Sequence, residues 1–329
     1  MKQVHFSEIR GSLKGKNRVL VASHLRPDAD AYGSTIASAL WLKSEGHEVS
    51  AWNEDGMLNK YSFLPSSELV TFPSDVPVVF DAVLVLDTSV KNRLGRILDA
   101  IAGSPLWVCI DHHKSNDGYA DLNLIEPSRP ATAQILAEAF LESGIEITPE
   151  MATNLFAGIS SDTGSFQYEG TDEKTYEVAA ELIRRGVNVA SLSRSLYENQ
   201  PLRRLHLLRH ALTNVRFSCD NRVASFSLSR SDVLAMGVLP EDNEGVIDNL
   251  RSVEGVIAAV FFEEMSGGMV RVSLRSKDNG FDACALCEHF GGGGHAMAAG
   301  ARIRGSLLEV EERVVAAICE KIEKLTLNK

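Results

Sequence analysis

The chain has 329 residues, 44% of them apolar and 23% charged, with a formal net charge of −11. That length exceeds what one ordinary core fills and suits two domains. The acidic balance argues against a protein that grips long nucleic acid by its phosphates, which takes a basic surface, and favours small or short substrates. No apolar run of about 18 residues is present, and residues 1–8 lack the apolar stretch of a secretory signal, so a cytoplasmic location away from the membrane is expected. Five cysteines make no disulfide framework. Cys284 and Cys287 form a C-x-x-C without a second pair to complete a zinc site, and read as two small apolar residues on a helix.

In chain order, residues 18–23 (RVLVAS) read as a strand, followed by a polar turn and helical spacing at 35–45. Residues 47–52 and 82–87 (AVLVLD) are further strands, and 106–110 (LWVCI) is another that ends at Asp111. Strands alternating with helices predict parallel βαβ units, whose sites lie beyond the carboxyl ends of the strands. From about residue 131 the pattern turns helical, with three- and four-residue apolar spacing over 131–142, 149–160 and 172–185. The stretch 191–216 carries Arg194, Arg203, Arg204, Arg209 and Arg216. It reads as a linking helix, its arginines either a solvated face or a wall that steers anions. Strands resume at 222–228, 255–263 and 269–276, then a helix at 281–290, a glycine run, a strand near 301–304 and a last helix from Leu307. The expected fold is α/β: a parallel-sheet, Rossmann-like domain over 1–190, a helical linker over 191–216 and a smaller α/β domain over 217–329, with a cleft between the domains.

Four segments place Asp or His where such a sheet would put its site. His24, Asp28 and Asp30 follow the first strand as H-x-x-x-D-x-D, where alternate carboxylates of a loop can face two neighbouring cations. Asp87 ends one strand, Asp111-His112-His113 ends another, and Asp162 closes the helix at 149–160 ahead of Thr163-Gly164. Three consecutive ionisable residues after an apolar strand are costly unless they bind something. Histidine with several carboxylates and no thiolate suits Mn²⁺ or Mg²⁺ better than structural zinc. Two such ions about 3.5–4 Å apart can clamp a phosphoryl group and activate water. In the second half, Gly292, Gly293 and Gly294 allow backbone N–H groups to approach an anion, and His295 adds a donor. Arg275 and Ser276 end the strand before them.

These motifs, in this order, resemble the DHH phosphoesterase superfamily, and Gly291–Gly300 resembles the G-G-G-H-x-x-A-A-G signature of its DHHA1 domain. The layout is most like the bifunctional oligoribonuclease and PAP phosphatase group. The resemblance implies hydrolysis of short RNA to mononucleotides and of 3'-phosphoadenosine 5'-phosphate (pAp) to AMP, with two divalent ions, Mn²⁺ expected and Mg²⁺ the alternative. It implies one metal on His24, Asp28 and Asp87, and another on Asp30, Asp87, His112 and Asp162, with Asp87 bridging. Asp111 would orient a histidine and His113 would contact the phosphate or protonate the leaving oxygen. Arg275 would clamp a phosphate, with Ser276, Gly292, Gly293, Gly294 and His295 as further substrate contacts, and a homodimer is suggested. Asp28-Ala29-Asp30 departs from the usual D-G-D, and Gln134 stands where relatives often carry Glu. The alternatives are a cyclic or linear dinucleotide phosphodiesterase (c-di-AMP, pApA) and a non-catalytic nucleic-acid-binding scaffold. His47, His206, His210 and His289 show no partner pattern.

Overall fold

The computed structural model describes residues 3–168, 170–243, 245–278 and 280–327. The chain divides into two units, Met1–Asn199 and Gln200–Lys329. Among the described residues no helix is long and apolar enough to cross a membrane.

The first unit runs α1 (Phe6–Leu13), β1 (Arg18–Ser23), α2 (Ala29–Ser44), β2 (Glu48–Trp52), β3 (Val70–Thr71), β4 (Val78–Val79), β5 (Ala82–Leu86), β6 (Ile101–Ala102), β7 (Leu106–Asp111) and β8 (Leu122–Ile125). The helices α3 (Thr132–Glu142), α4 (Pro149–Asp162), α5 (Glu173–Arg184) and α6 (Val189–Tyr197) follow. Six strands form one sheet in the order β3-β2-β1-β5-β7-β8, every pair parallel. A parallel sheet is covered on both faces, which is why its strands read as continuous apolar runs. In β1, Val19 and Val21 join the core that holds Tyr32, Trp41 and Phe140, whereas Leu20 and Ala22 join the one that holds Trp52 and Phe80. The strand order reverses at the β1/β5 pair, the topological switch point, where a crevice opens beyond the carboxyl ends of the strands.

Two glycines set the spacing behind that crevice. A Cβ on Gly33 of α2 would sit 2.3 Å from the Asn154 carbonyl oxygen of α4, and one on Gly158 of α4 would sit 2.6 Å from Asp30 Oδ1. The two helices therefore touch backbone to backbone, which sets Asp30 on α2 beside α4, the helix that ends at Asp162.

The second unit contains α7 (Leu202–Asn214), β9 (Arg216–Ser218), β10 (Val223–Leu228), α8 (Arg230–Met236), α9 (Val246–Arg251), β11 (Ala258–Met265), β12 (Met269–Ser276), α10 (Ala283–His289), β13 (Gly293–His295), β14 (Ala298–Arg304) and α11 (Leu307–Leu327). Its sheet is mixed, in the order β13-β14-β12-β11-β10-β9, with only β10 and β11 parallel. The helix α11 packs against it through Val310, Val314, Ile318 and Ile322, a four-residue stripe. The arginine-rich stretch read as one linking helix is two helices. Leu192 of α6 is buried in the first unit's core, and Leu207 and Ala211 of α7 are buried in a core of the second.

Replacing Gly33 with Ala is expected to lower stability by about 1–3 kcal/mol, because the overpacked helix pair must separate. Gly11, on the exposed part of α1 with no atom within 4 Å of an added Cβ, is the control: Gly11→Ala should be neutral or slightly stabilising. Denaturant midpoints of the metal-free variants measure both, and equal midpoints would remove the close-packing role of Gly33.

Candidate metal centre

β1 delivers buried His24 to the crevice, and the chain then turns into α2. Asp28 is the N-cap of that helix, its Oδ1 accepting the backbone N–H groups of Asp30 and Ala31 at 3.0 Å each. A carboxylate cap satisfies the otherwise unpaired first N–H groups, so the helix starts at Ala29, well before the spacing at 35–45 suggests. The expectation of two loop aspartates is corrected accordingly. Asp28 precedes the helix, but Asp30 lies inside its first turn and is fully buried. The Asp30 carboxylate accepts from the backbone N–H of Thr132 at 2.7 Å and of Ala133 at 2.8 Å. It thereby caps α3, whose own N-cap residue, Ala131, offers no capping side chain.

Asp87 follows β5 in a left-handed conformation, φ 52°, the kind of strained backbone that a surrounding site has to hold. Its Oδ2 lies 3.4 Å from His24 Nε2 and its Oδ1 3.4 Å from His112 Nε2. The Thr132 hydroxyl donates to Oδ1 at 3.0 Å. Asp162, the last residue of α4, brings Oδ2 to 3.2 Å from His112 Nε2. All six sequence-predicted ligands thus come to one place. Ligand atoms of His24, Asp28 and Asp87 lie within 4.8 Å of one another, as do those of Asp30, His112 and Asp162, and those of Asp87, His112 and His113.

The donor set fits divalent cations. Among the described residues, buried His112 Nε2 has no hydrogen-bond partner, although two carboxylates lie within 3.4 Å of it. Its Nδ1 faces the Arg129 carbonyl at 3.3 Å, which takes the ring proton and leaves Nε2 as the lone-pair side. His24 Nδ1 lies 2.9 Å from both the Leu25 carbonyl and Arg93 Nη2, and its Nε2 faces Asp87 at 3.4 Å. Oxygen and imidazole donors without thiolate suit divalent cations.

Electrostatics point the same way. Burial, then the charges of Asp87 and Asp162, push the Asp30 carboxyl well above the usual carboxylate range. Burial and the Asp28 charge push Asp162 up to about 7. Burial works against the charge on Asp87 too, yet its contacts with His112 and His24 hold its carboxyl well below the usual range. Burial also favours neutral His112, but Asp162 and Asp87 outweigh it and push the imidazole up to about 12. Protons on histidine and aspartate balance here the charge that a divalent ion would balance.

Next to this group, Asp111 is buried with Oδ1 2.7 Å from His113 Nδ1, and its Oδ2 accepts from Asn116 Nδ2 at 2.6 Å. The histidine that Asp111 orients is therefore His113. Burial works to lower the His113 pKa, but the Asp111 hydrogen bond outweighs it and raises it. Asn116 also donates to the Thr88 carbonyl at 3.2 Å, tying the turn after β7 to the residue after Asp87. Sequence reasoning misses Asn116, Thr132 and Arg129; each acts from a turn or a helix start, where residue type alone carries no signal.

In the second unit, Arg275 of β12 stands opposite Ala298 of β14, which stands opposite His295 of β13. Residues directly opposite share a face, so Arg275 and His295 lie on the same side of the sheet. The glycine run is the outer strand of a hairpin and its approach. A Cβ on Gly292 would meet the Gly300 carbonyl oxygen at 2.1 Å, and one on Gly294, φ 147°, the Ala298 carbonyl oxygen at 2.6 Å. A Cβ on Gly293 meets nothing within 4 Å, so that position is open. Ser276 departs from its expected role. It is buried, and its hydroxyl donates to the Asp278 carbonyl and accepts from the Asp278 N–H, closing its own turn. Cys284 and Cys287 lie on α10 with their thiols raised, in both cases first by burial, and Cys287 packs in the core. Gln134 is buried and donates to Glu138.

The sequence matches the model of the DHH family, N-terminal domain, over residues 18–159 and that of the DHHA1 domain over residues 233–324. It is 31% identical over 310 residues to the bifunctional oligoribonuclease and PAP phosphatase NrnA of Thermus thermophilus, covering 93% of this chain and 90% of that protein. It is 29% identical over 288 residues to the protein of the same name from Bacillus subtilis, covering 87% and 89%. Among solved structures, an exopolyphosphatase-related protein from Bacteroides fragilis aligns with a TM-score of 0.89 over 98% of this chain and 97% of that one, at 23% identity, a likeness of fold.

Metal binding should release protons, because ligands must be deprotonated to coordinate. With His112 pushed up to about 12 and Asp162 up to about 7, both release a proton on binding below pH 7, and His112 alone of the two well above it. Affinity for Mn²⁺ should therefore rise with pH, more steeply from 6 to 7 than from 7 to 8. Calorimetric titrations in buffers of different ionisation enthalpy count the protons, and a pH-independent affinity with no proton release would contradict this charge arrangement.

Proposed function

The chain belongs to the DHH family, and from that membership we propose that it hydrolyses short oligoribonucleotides to mononucleotides and pAp to AMP. One observation carries the reading most directly. The two oxygens of Asp87 face two different histidines, His24 and His112, at 3.4 Å each, the geometry of a carboxylate shared by two neighbouring metal positions. The DHH phosphoesterases are hydrolases, and the site is one for divalent metal. Mn²⁺ is the ion proposed for it, on His24, Asp28 and Asp87 and on Asp30, Asp87, His112 and Asp162.

Two divalent ions, when bound, supply Lewis acidity on the phosphoryl oxygens and lower the pKa of water to near neutrality. The chain's own residues do the rest. Asp87 holds its charge in a buried position and fixes the separation of the two ligand groups. Burial excludes bulk water around Asp30 and His24, which strengthens each electrostatic contact. Asp111 fixes His113 through Nδ1, with Asn116 locking the carboxylate from behind, so that His113 carries its transferable proton at Nε2. The raised pKa of His113 favours the protonated ring, which can donate to the leaving oxygen. In the second unit, Arg275 and His295, on one face beside the open backbone at Gly293, are proposed to hold a phosphate of the nucleotide.

Asp87→Asn keeps shape and tolerates the left-handed backbone, yet removes the shared charge. Turnover of pAp and of RNA dinucleotides in Mn²⁺ should fall by at least about 10²–10³-fold, with an unchanged far-ultraviolet circular dichroism spectrum. His113→Ala should lower kcat by roughly 10²–10⁴-fold with metal binding retained. A substrate panel of pAp, pApA, c-di-AMP, pyrophosphate and RNA of two to about 25 nucleotides distinguishes the activities. Preference for pAp and the shortest RNA supports the proposal; turnover of pyrophosphate alone, or an Asp87→Asn variant at full rate, would sink it.

A further inference from the structure

We infer that Glu138, on α3, is a positioning residue for the Asp30/His112/Asp162 metal position, acting through Arg129. The inference rests on the metal-dependent reading above. The Arg129 carbonyl that takes the His112 Nδ1 proton belongs to an irregular segment between β8 and α3. Two backbone bonds fold that segment, from Glu126 N–H to the Asp111 carbonyl at 3.0 Å and from Arg129 N–H to the Glu126 carbonyl at 3.0 Å. The Arg129 side chain ties it to α3. Its Nε and Nη2 both reach Glu138 Oε2, at 3.0 and 2.9 Å. The other Glu138 oxygen accepts from Gln134 Nε2 at 2.9 Å, one helical turn earlier on the same face.

This is not an exposed ion pair of small consequence. The Arg129 side chain is 28% exposed, that of Glu138 13%, and Gln134 is fully buried. Two guanidinium N–H groups converging on one carboxylate oxygen in such a setting fix geometry, and removing one partner leaves the other charge poorly compensated. The effect is directed at one metal position. The first turn of α3 gives its N–H groups to Asp30, and Glu138 further along holds the carbonyl that sets the His112 ring. His24 and Asp28 are instead held by Leu25, Arg93 and the start of α2. One helix thus holds Asp30, the shared Asp87 through the Thr132 hydroxyl and, by way of Arg129, His112, but neither His24 nor Asp28, the two that belong only to the other ion. Groups that hold the far nitrogen of a metal-bound histidine are worth about 10–100-fold in metal affinity.

The test is a Mn²⁺ titration of the metal-free full chain by calorimetry, repeated with Glu138→Gln. The wild type should bind two ions. The variant should bind one of them unchanged and the other about 10–100-fold more weakly. The Mn²⁺ concentration for half-maximal turnover should rise by the same factor, with kcat approached at saturating metal. Arg129→Lys, which keeps the charge but not the pair of converging N–H groups, should show a smaller loss at the same position and serves if Glu138→Gln fails to fold. Two unchanged ions in either folded variant, or equal weakening of both, overturns the inference and leaves the two-metal reading standing. A wild type that binds fewer than two ions overturns that reading and this inference with it.

Discussion

Asp87 is a charged carboxylate in a fully buried position, and most of the first unit's architecture can be traced to keeping it there. A lone buried carboxylate would take up a proton, because desolvation penalises the charged form. Two histidines facing its two oxygens reverse that preference, and Asp30 and Asp162 then add negative charge that histidine alone does not balance. A collection of this kind is stable around cations and costly otherwise. The strained backbone at Asp87 answers the same demand: the residue leaves β5 in a left-handed conformation that aims its carboxylate between β1 and β7.

The scaffold meets that demand with helix ends rather than with loops. Asp28 caps α2, Asp30 caps α3 from a neighbouring helix, and Asp162 closes α4. Two of these carboxylates lie where positive helix N-termini favour negative charge. The glycine contacts between α2 and α4 then matter chemically, since they set the distance between the helices that carry Asp30 and Asp162. In the second unit glycine has a comparable role. The hairpin of β13 and β14 is tight enough that a side chain at Gly292 or Gly294 would strike the opposite strand's backbone. That tightness holds His295 level with Arg275 and leaves backbone open at Gly293.

Division of labour follows between ligands and the residues behind them. The Arg129 carbonyl holds His112 Nδ1 and leaves Nε2 facing Asp87 and Asp162, while His24 Nδ1 meets the Leu25 carbonyl and the Arg93 guanidinium. Asp111 holds His113 Nδ1, the arrangement from which the proton-transfer role of His113 is proposed. A carbonyl fixes which imidazole nitrogen keeps its proton, and a carboxylate favours the doubly protonated ring. Three histidines of the same type thus take different chemical roles from their partners.

Much of this is legible in the amino-acid sequence. Continuous apolar runs ending in Asp or His reveal the parallel strands and the crevice beyond them, because a strand buried on both faces has no polar alternation and a polar residue at its end stands out. The gathering of His24, Asp28, Asp30, Asp87, His112 and Asp162 is readable for the same reason: ionisable residues in apolar surroundings imply a partner. Asp30 reads as a loop residue but is helical, since a capping carboxylate extends a helix past the point where apolar spacing begins. Ser276 reads as a substrate contact by its position, whereas its hydroxyl closes a turn. The contributions of Thr132, Asn116, Arg129 and Glu138 are invisible in the sequence, because each depends on segments apart in the chain meeting at hydrogen-bond distance. The sequence by itself determined which groups must be charged, buried and clustered, for that follows from composition and periodicity. Only the tertiary structure decided which nitrogen of each histidine faces the carboxylate cluster and what holds it there, because that is set by the position of single carbonyl and carboxylate oxygens.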